Sequence, residues 1–357
     1  MDATNSKCIG IMSGTSLDGI DIILCEFNEV NGKISHHIQC SETIDYPTNW
    51  KEKLQTAHTL NAYEFTKLDY QYGIYIGEII CSFMDKNNLN KETISFIASH
   101  GHTIFHNPTE HITCQIGDGT SIYATTGIRV IYDFRRLDIT LKGQGAPLVP
   151  IGDLLLFNDY QFCLNLGGFS NISYSINNKR IAYDISPANI VLNHYTHKIG
   201  LSYDDKGSIA SRGAVQMDLL SALNNLQYYK QLPPKSLGRE WVEEKVLPLI
   251  DQFQYQMPDI LRTYSEHIVQ QVSNSIRGLE TGKLLITGGG AHNTFLIERL
   301  KQSTKHTVFI PKKEVIDYKE ALIFALLGWL KLNHKENVLA TYTGAIRNSI
   351  SGIVIDG

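Results

Sequence analysis

Two short apolar runs flank a small polar turn near the start of the chain. The runs KCIGIMSG and IDIILCEF are rich in isoleucine, which predicts strands, and the glycine-containing segment between them predicts a hairpin turn. KISHHIQCSETIDY follows with rough alternation of apolar and polar residues, which predicts that the sheet continues. TISFIASHGHTIFH and GIRVIYDFR then predict buried strands.

Apolar residues recur at helical spacing between Lys51 and Lys86, and the region from Met217 to Glu280 also favours helices, around a loop at QLPPKSLGRE. A second strand–turn–strand pattern, FCLNLGGFSNISYSI, covers residues 162–176, and RIAY predicts another strand. In KLLITGGGAHNTFLIERL an apolar strand enters a triple-glycine turn before a helix. This succession predicts an α/β protein.

The length of 357 residues favours two lobes, because a single hydrophobic core stops growing below that size. We place the lobes at residues 1–148 and 149–357 and allow the C-terminal tail to pack on the first lobe. No low-complexity segment or long linker interrupts the chain.

Composition excludes some classes of function. Hydrophobic residues make up 43% and charged residues 19%, and the net charge of -4 gives no general attraction to nucleic acid or anionic membranes. ALIFALLGWLKL is too short to span a bilayer, and the first residues lack a signal-peptide pattern. Six scattered cysteines without a C-x-x-C pair predict reduced thiols. We therefore expect a cytoplasmic protein.

Each glycine turn alone is explained by a tight bend that needs positive φ. Together, two hairpin turns and a strand–GGG–helix element favour a site for phosphate, which backbone N–H groups and the hydroxyls of Thr15 and Ser16 can bind. Asp18 and Asp21 suggest a Mg²⁺ ion held through water. Neither a P-loop nor a Rossmann glycine motif is present.

Six segments together resemble the anhydro-N-acetylmuramic acid kinases: GIMSGTSLDGIDI, SHGHTIFH, DFRRLDITLKGQGAPLVP, NLGGFSNIS, TGGGAHN and TGAIRNSISG. The resemblance implies a two-lobed actin-like (ribonuclease H-like) α/β fold with ATP in a cleft between the lobes. It also implies a kinase of cell-wall sugar recycling that opens the 1,6-anhydro ring and phosphorylates the 6-oxygen, and a homodimer. The residues assigned to ATP and its phosphates are Gly14, Thr15, Ser16, Asp18, Gly19, Gly167, Gly168, Gly288, Gly289, Gly290 and Asn293.

Asp184 is the candidate general base. The resembling family uses an aspartate in a D-T-G-P-G-N motif to activate water, and the matching segment here is DISPAN. Ile185, Ser186 and Ala188 replace the expected Thr, Gly and Gly, which adds side-chain volume where a ligand would approach. A solvated aspartate before a proline turn is the alternative interpretation.

The remaining candidates concern the sugar. Arg135 can hold a lactyl carboxylate bidentately, although an ion pair with Asp133 or Asp138 would also explain it. Glu320 resembles a sugar-contacting glutamate that opens a helix at the interface between the lobes, a position that the helix dipole alone also favours. Gln144 in GQGAPLVPIGD offers amide hydrogen bonds.

The histidines of SHGHTIFH allow two interpretations. His100, His102 and His106 would share one face of a strand, which raises the question of zinc, but the usual ligand spacings are missing. Hydrogen bonding to sugar by His102 and Thr103 is the interpretation that the resemblance supports.

The resulting hypothesis is an ATP-dependent sugar kinase that uses Mg²⁺ and interacts with neither nucleic acid nor a membrane. Two alternatives stay open. The altered DISPAN loop is compatible with a kinase for another sugar, and the glycine turns are compatible with a nucleotide-binding sensor or scaffold without turnover.

Overall fold

The computed structural model describes residues 5–176, 179–233 and 235–357. The strands are β1 (Asn5–Ser13), β2 (Ile20–Val30), β3 (Lys33–Ile44), β4 (Phe96–Asn107), β5 (Ile112–Ile116), β6 (Val130–Tyr132), β7 (Phe162–Leu166), β8 (Phe169–Ile176), β9 (Lys179–Pro187), β10 (Lys283–Thr287), β11 (Thr307–Phe309) and β12 (Ile353–Ile355). The predicted strands of both hairpins are confirmed.

The α-helices are α1 (Thr48–Thr56), α2 (Ala62–Lys86), α3 (Gly119–Thr126), α4 (Arg136–Thr140), α5 (Pro150–Leu156), α6 (Asn189–His197), α7 (Met217–Asn224), α8 (Arg239–Trp241), α9 (Leu247–Asp251), α10 (Met257–Ser275), α11 (Thr294–Ser303), α12 (Lys313–Leu332) and α13 (Ala340–Thr343). A π-helical stretch, Val242–Val246, joins α8 to α9, and a 3-10 turn, Gly289–His292, precedes α11. The helical regions predicted from Lys51 to Lys86 and from Met217 to Glu280 are thus confirmed.

The chain divides into two compact units. Unit 1 contains the residues up to Leu156 together with Tyr318–Gly357, and unit 2 is Phe157–Asp317. The first boundary therefore lies after α5 and not at 148/149, because α5 is tied to the later segment of unit 1. Gly152 leaves no room for a side chain next to Ile323, and Asp153 forms a buried ion pair with Lys319 at 2.6 Å.

The two units share one strand order. The sheet of unit 1 runs β12-β6-β4-β1-β2-β3, with β5 paired to β4, and the sheet of unit 2 runs β11-β10-β7-β8-β9. In each sheet, three consecutive strands pair antiparallel. A fourth strand pairs parallel with the first of these three, and a fifth strand pairs parallel with the fourth. Two units, each with a mixed sheet, agree with the two-lobed actin-like, ribonuclease H-like α/β fold that the resemblance implies.

Alternation along β1 places a different helix on each face of the unit 1 sheet. Ile9 and Ile11 belong to a buried apolar cluster with Tyr72 of α2. Between them, Gly10 points to the other face, where an added Cβ would lie 2.3 Å from the carbonyl oxygen of Ala321 in α12. Only glycine allows α12 to approach β1 this closely.

The apolar run near the C-terminus forms the interior of α12, where residues 321–330 are all buried. A helix that is apolar on every side is expected in a protein core. Within the described ranges, no helix is both long and apolar enough to cross a membrane.

Candidate active site

The first glycine turn joins β1 to β2 in unit 1. Thr15, Ser16 and Asp18 are exposed, so a ligand can reach their side chains. Leu17 has a φ of 60°, and its N–H donates to the carbonyl oxygen of Gly14 at 3.2 Å. A left-handed conformation is uncommon for a leucine, and strained residues of this kind concentrate at functional sites.

The turn ends against β3. A side chain at Gly19 would meet the carbonyl oxygen of Ile44 at 2.8 Å, and Asp21 Oδ1 accepts a hydrogen bond from Thr43 Oγ1 at 2.7 Å. No group of three His, Cys, Asp or Glu side chains that could hold a metal ion occurs among the described residues. Asp18 and Asp21 nevertheless offer the carboxylate oxygens that Mg²⁺ prefers, and kinase sites usually hold Mg²⁺ with one or two carboxylates plus phosphate.

The histidines of β4 do not share one face, so that expectation was wrong. Gly101 has a φ of 73°, which interrupts the alternation between His100 and His102. The ring of His100 packs on Phe324 of α12 with centroids 4.5 Å apart, whereas the ring of His102 meets Tyr72 of α2 at 6.2 Å. A glycine between two histidines in a strand pattern is the signal that could have indicated this irregularity.

Further along β4, Thr103 Oγ1 accepts a hydrogen bond from Gln115 Nε2 at 3.2 Å. His106 is exposed, and its Nδ1 lies 3.1 Å from Thr113 Oγ1. The three histidines are therefore separated, and their placement does not suggest a common ligand.

His102 is buried and pairs with Ser13, a residue that the sequence analysis did not single out. Ser13 Oγ lies 2.7 Å from His102 Nδ1, and both side chains are less than 5% exposed. Desolvation lowers the pKa of His102 to about 4, so the ring is neutral near pH 7. Ser13 directly precedes the first glycine turn, which was the available signal.

Arg135 is held by two hydrogen bonds. Its Nε donates to His100 Nε2 at 3.0 Å, and its Nη1 donates to the carbonyl oxygen of Gly145 at 2.8 Å. Desolvation lowers the pKa of Arg135 to about 10, while the charge of Glu320 opposes this shift. The guanidinium therefore stays charged at neutral pH and has a fixed orientation.

The surface ion pair considered for Arg135 is formed by its neighbour. Arg136 Nε lies 3.0 Å from Asp133 Oδ2, and Asp138 Oδ1 accepts a hydrogen bond from Thr343 Oγ1 at 2.6 Å. Within the described residues, Arg135 pairs with neither aspartate.

Glu320 lies in the first turn after a break within α12, so it opens the second part of this helix, as expected. It follows Tyr318, where the backbone leaves the helical conformation at φ -115° and ψ 17°. Glu320 is accessible to solvent, but desolvation by the surrounding protein raises its pKa and Arg135 opposes this shift. The side chain of Gln144 is exposed, and its backbone N–H donates to the carbonyl oxygen of Thr343 at 2.7 Å.

The second glycine turn joins β7 to β8 in unit 2 and is anchored to the start of α6. The N–H of Ala188 donates to the carbonyl oxygen of Gly168 at 2.7 Å, and the N–H of Asn189 donates to that of Gly167 at 3.1 Å. These bonds hold the turn against the first residues of α6 and occupy the N–H groups of Ala188 and Asn189.

The triple-glycine turn packs against the same region. Gly288 has a φ of 81°, and an added Cβ would lie 2.4 Å from Asn165 Oδ1. At Gly290 an added Cβ would lie 2.7 Å from the Cβ of Leu166, whose carbonyl oxygen accepts a hydrogen bond from Asn189 Nδ2 at 3.1 Å. The two glycine turns of unit 2 are therefore neighbours, with Asn189 between them.

Asn293 and Gly289 complete the third turn. Gly289 is exposed, whereas Asn293 Oδ1 accepts a hydrogen bond from the N–H of Leu296 at 3.0 Å. Asn293 thus caps α11, a structural function that accounts for an asparagine at this position.

Asp184 lies in β9, and its carboxylate is oriented by a loop. The N–H of Leu237 donates to Asp184 Oδ2 at 2.9 Å, and Tyr228 OH donates to the Asp184 carbonyl oxygen at 2.5 Å. Desolvation raises the pKa of Asp184, and the bond from Leu237 opposes this shift. Among the described residues, none donates a hydrogen bond to Oδ1, and a group with a raised pKa is a better proton acceptor.

The three departures from the family motif are buried in unit 2. Ile185 and Ala188 belong to its apolar cluster, at 3% and 0% exposed. Ser186 is also 0% exposed, and its Oγ lies 2.9 Å from that of Ser170. Their added volume is therefore accommodated in the interior of unit 2.

The candidate residues thus form two groups, one in each unit. In unit 1, the charges of Arg135 and Asp21 both act on Glu320, and His102 lies beside the first turn through Ser13. In unit 2, the strand that contains Asp184 ends one residue before Ala188, whose N–H donates to the second turn.

Comparison with known proteins decides the family. A family model described as "Anhydro-N-acetylmuramic acid kinase" matches residues 6–356. The chain belongs to this family. Family members with similar sequences include the proteins named anhydro-N-acetylmuramic acid kinase from Pasteurella multocida, 35% identical over 94% of this chain and 93% of that one, and from Haemophilus influenzae, 33% identical over 94% of each.

Similar solved structures include component A of the (R)-2-hydroxyglutaryl-CoA dehydratase of Acidaminococcus fermentans, with 12% identity and a TM-score of 0.49 over 92% of this chain and 99% of that one. A ROK family glucokinase from Streptomyces griseus, in complex with glucose and AMPPNP, has 10% identity and a TM-score of 0.40 over 90% of this chain and 99% of that one.

Proposed function

We propose that the protein is an ATP-dependent anhydro-N-acetylmuramic acid kinase of cell-wall sugar recycling. Water attacks the anomeric carbon, the bond from that carbon to the 6-oxygen breaks, and the 6-oxygen takes the γ-phosphate of ATP. The products are N-acetylmuramic acid 6-phosphate and ADP. The family match over residues 6–356 and the relatives of the same name support this assignment.

The observation that carries the proposed chemistry is the carboxylate of Asp184. One oxygen is fixed by Leu237, the pKa is raised by burial, and within the described residues the other oxygen accepts no hydrogen bond. We assign to it the proton that the attacking water loses. A positioned general base of this kind contributes about 10²- to 10⁴-fold to a rate.

The residues of unit 1 would bind the substrates. Arg135 would hold the lactyl carboxylate, and Thr15 and Ser16 would donate to phosphate. Asp18 and Asp21 would hold Mg²⁺, which when bound would neutralise charge on the phosphates. Since the reaction uses ATP, we place the protein in the cytoplasm, and we expect the homodimer that the resemblance implies.

The buried positions of Ile185, Ser186 and Ala188 support this assignment over a kinase for another sugar. The test is to incubate the protein with ATP, Mg²⁺ and a panel of sugars that includes 1,6-anhydro-N-acetylmuramic acid, and to identify products by mass spectrometry. A 6-phosphorylated, ring-opened product supports the assignment. ATP binding without ADP release on any sugar would favour a sensor, and turnover only on another sugar would favour a different kinase.

A further inference from the structure

Four polar side chains form a closed, buried group beneath the first glycine turn. Ser13 Oγ lies 2.6 Å from Tyr46 OH and 2.7 Å from His102 Nδ1, and Tyr72 OH donates to it at 3.0 Å. Tyr46 OH and Tyr72 OH are also hydrogen-bonded to each other. We call Ser13, Tyr46 and Tyr72 the hydroxyl ring; all three side chains are less than 5% exposed.

Counting protons assigns the direction of each bond. The three hydroxyl groups make three contacts among themselves, and Ser13 makes a fourth contact with His102 Nδ1. Each hydroxyl supplies one proton, so the ring is satisfied when Tyr46 donates to Tyr72, Tyr72 to Ser13 and Ser13 to Tyr46. No hydroxyl proton is left for the fourth contact. The imidazole must therefore supply that proton from Nδ1.

The protonation states required by this count agree with the burial of the group. Desolvation raises the pKa of Tyr46 to about 12 and also raises that of Tyr72, so both phenols keep their protons at neutral pH. The pKa of His102 is lowered to about 4 by desolvation, so its ring carries a single proton. With that proton on Nδ1, Nε2 is an acceptor, and among the described residues none bonds to it.

We propose that the hydroxyl ring fixes His102 in the Nδ1–H tautomer, so that Nε2 accepts a hydrogen bond from a hydroxyl or amide N–H of the bound sugar. This rests on the proposed function for the identity of the ligand, but the tautomer follows from the geometry alone. An anionic group such as a carboxylate or phosphate offers no proton and is disfavoured at Nε2. Ser13, Tyr46 and Tyr72 are positioning residues, and His102 determines specificity.

The first test is nitrogen NMR of the full chain with ¹⁵N-labelled histidine, with His102 assigned by its loss in His102→Gln. We expect the Nδ1–H form in the wild type. In Tyr46→Phe and in Tyr72→Phe, two contacts remain for two hydroxyl protons, so Ser13 can donate to Nδ1 and the Nε2–H form gains population. Tyr75→Phe is the control, because Tyr75 packs on both ring tyrosines without joining the ring.

The second test measures steady-state kinetics with the sugar varied. If the two tautomers become equally populated, the competent fraction is halved and KM for the sugar rises about twofold in Tyr46→Phe or Tyr72→Phe. We expect the KM of Tyr75→Phe to match the wild type. Thermal melts check that each variant is folded. If one of the two ring variants does not fold, the other is sufficient for the test.

An Nε2–H form in the wild type would overturn the proposal, and so would ring variants that leave the tautomer unchanged. A wild type that shows the Nδ1–H form but does not turn over the sugar would instead contradict the proposed function. The two ideas can therefore fail separately.

Discussion

Replacing Arg135 by lysine tests whether this guanidinium recognises the carboxylate of the sugar. In the structure, Nε donates to His100 and Nη1 donates to Gly145, which fixes the plane of the group. Lysine keeps the charge but has a single ammonium on a flexible chain, so it cannot reproduce two anchoring bonds and a bidentate contact at once. The expected consequence is weaker sugar binding without loss of the chemical step.

The magnitude follows from the bonds that are lost. A hydrogen bond to a charged group contributes about 1.5–3 kcal/mol. Losing one such bond to the substrate carboxylate corresponds to a decrease of roughly 10- to 150-fold in kcat/KM, at about 1.4 kcal/mol for each factor of ten. Because the carboxylate does not take part in the reaction, the change should appear in KM for the sugar, with kcat nearly unchanged.

The assay couples ADP release to an absorbance signal while the concentration of sugar is varied. Arg136→Lys is the matched control, since the neighbouring Arg136 is exposed and pairs with Asp133; its kinetics should stay close to the wild type. A second comparison uses 1,6-anhydro-N-acetylglucosamine, which lacks the lactyl carboxylate. The reasoning is refuted if Arg135→Lys leaves KM for anhydro-N-acetylmuramic acid unchanged, or weakens both sugars equally.

Three further outcomes are expected. Lys319→Met removes the ion pair of the buried Asp153 and should lower the free energy of unfolding by about 3–5 kcal/mol. The double variant Asp153→Leu, Lys319→Met should recover most of this loss. Urea unfolding measures both variants. The raised pKa of Asp184 predicts that kcat/KM falls with decreasing pH at a higher pH than an ordinary aspartate would give, which a pH–rate profile measures. Gly288→Ala should cost about 1–3 kcal/mol of stability and weaken ATP binding in calorimetry, since its Cβ would clash with Asn165 at a φ of 81°.

The sequence allowed the strands of both hairpins to be predicted, because short apolar runs and glycine turns determine those elements locally, but it did not reveal the short strands β5, β11 and β12. It did not allow the boundary of unit 1 to be predicted. The chain returns to unit 1 at Tyr318, where the backbone breaks within α12, and neither a glycine nor a proline marks this break in the sequence.

The sequence predicts residues of the candidate site only where they belong to a recognisable motif. The opposite faces of His100 and His102 depend on the positive φ of Gly101, which strand alternation does not reveal. The N–H that orients Asp184 comes from Leu237, more than fifty residues later, and the hydroxyl ring joins residues from β1, α2 and the segment after β3. Such contacts follow from tertiary packing, and no local pattern encodes them.

The most direct test of the whole account compares Asp184→Asn with the wild type in product formation from 1,6-anhydro-N-acetylmuramic acid, ATP and Mg²⁺. Asparagine preserves the shape of the side chain but cannot accept the proton of the attacking water. We expect the ring-opened 6-phosphate to form at least about 100-fold more slowly, while ATP binding measured by calorimetry is largely retained. Turnover of Asp184→Asn at the wild-type rate would contradict the account.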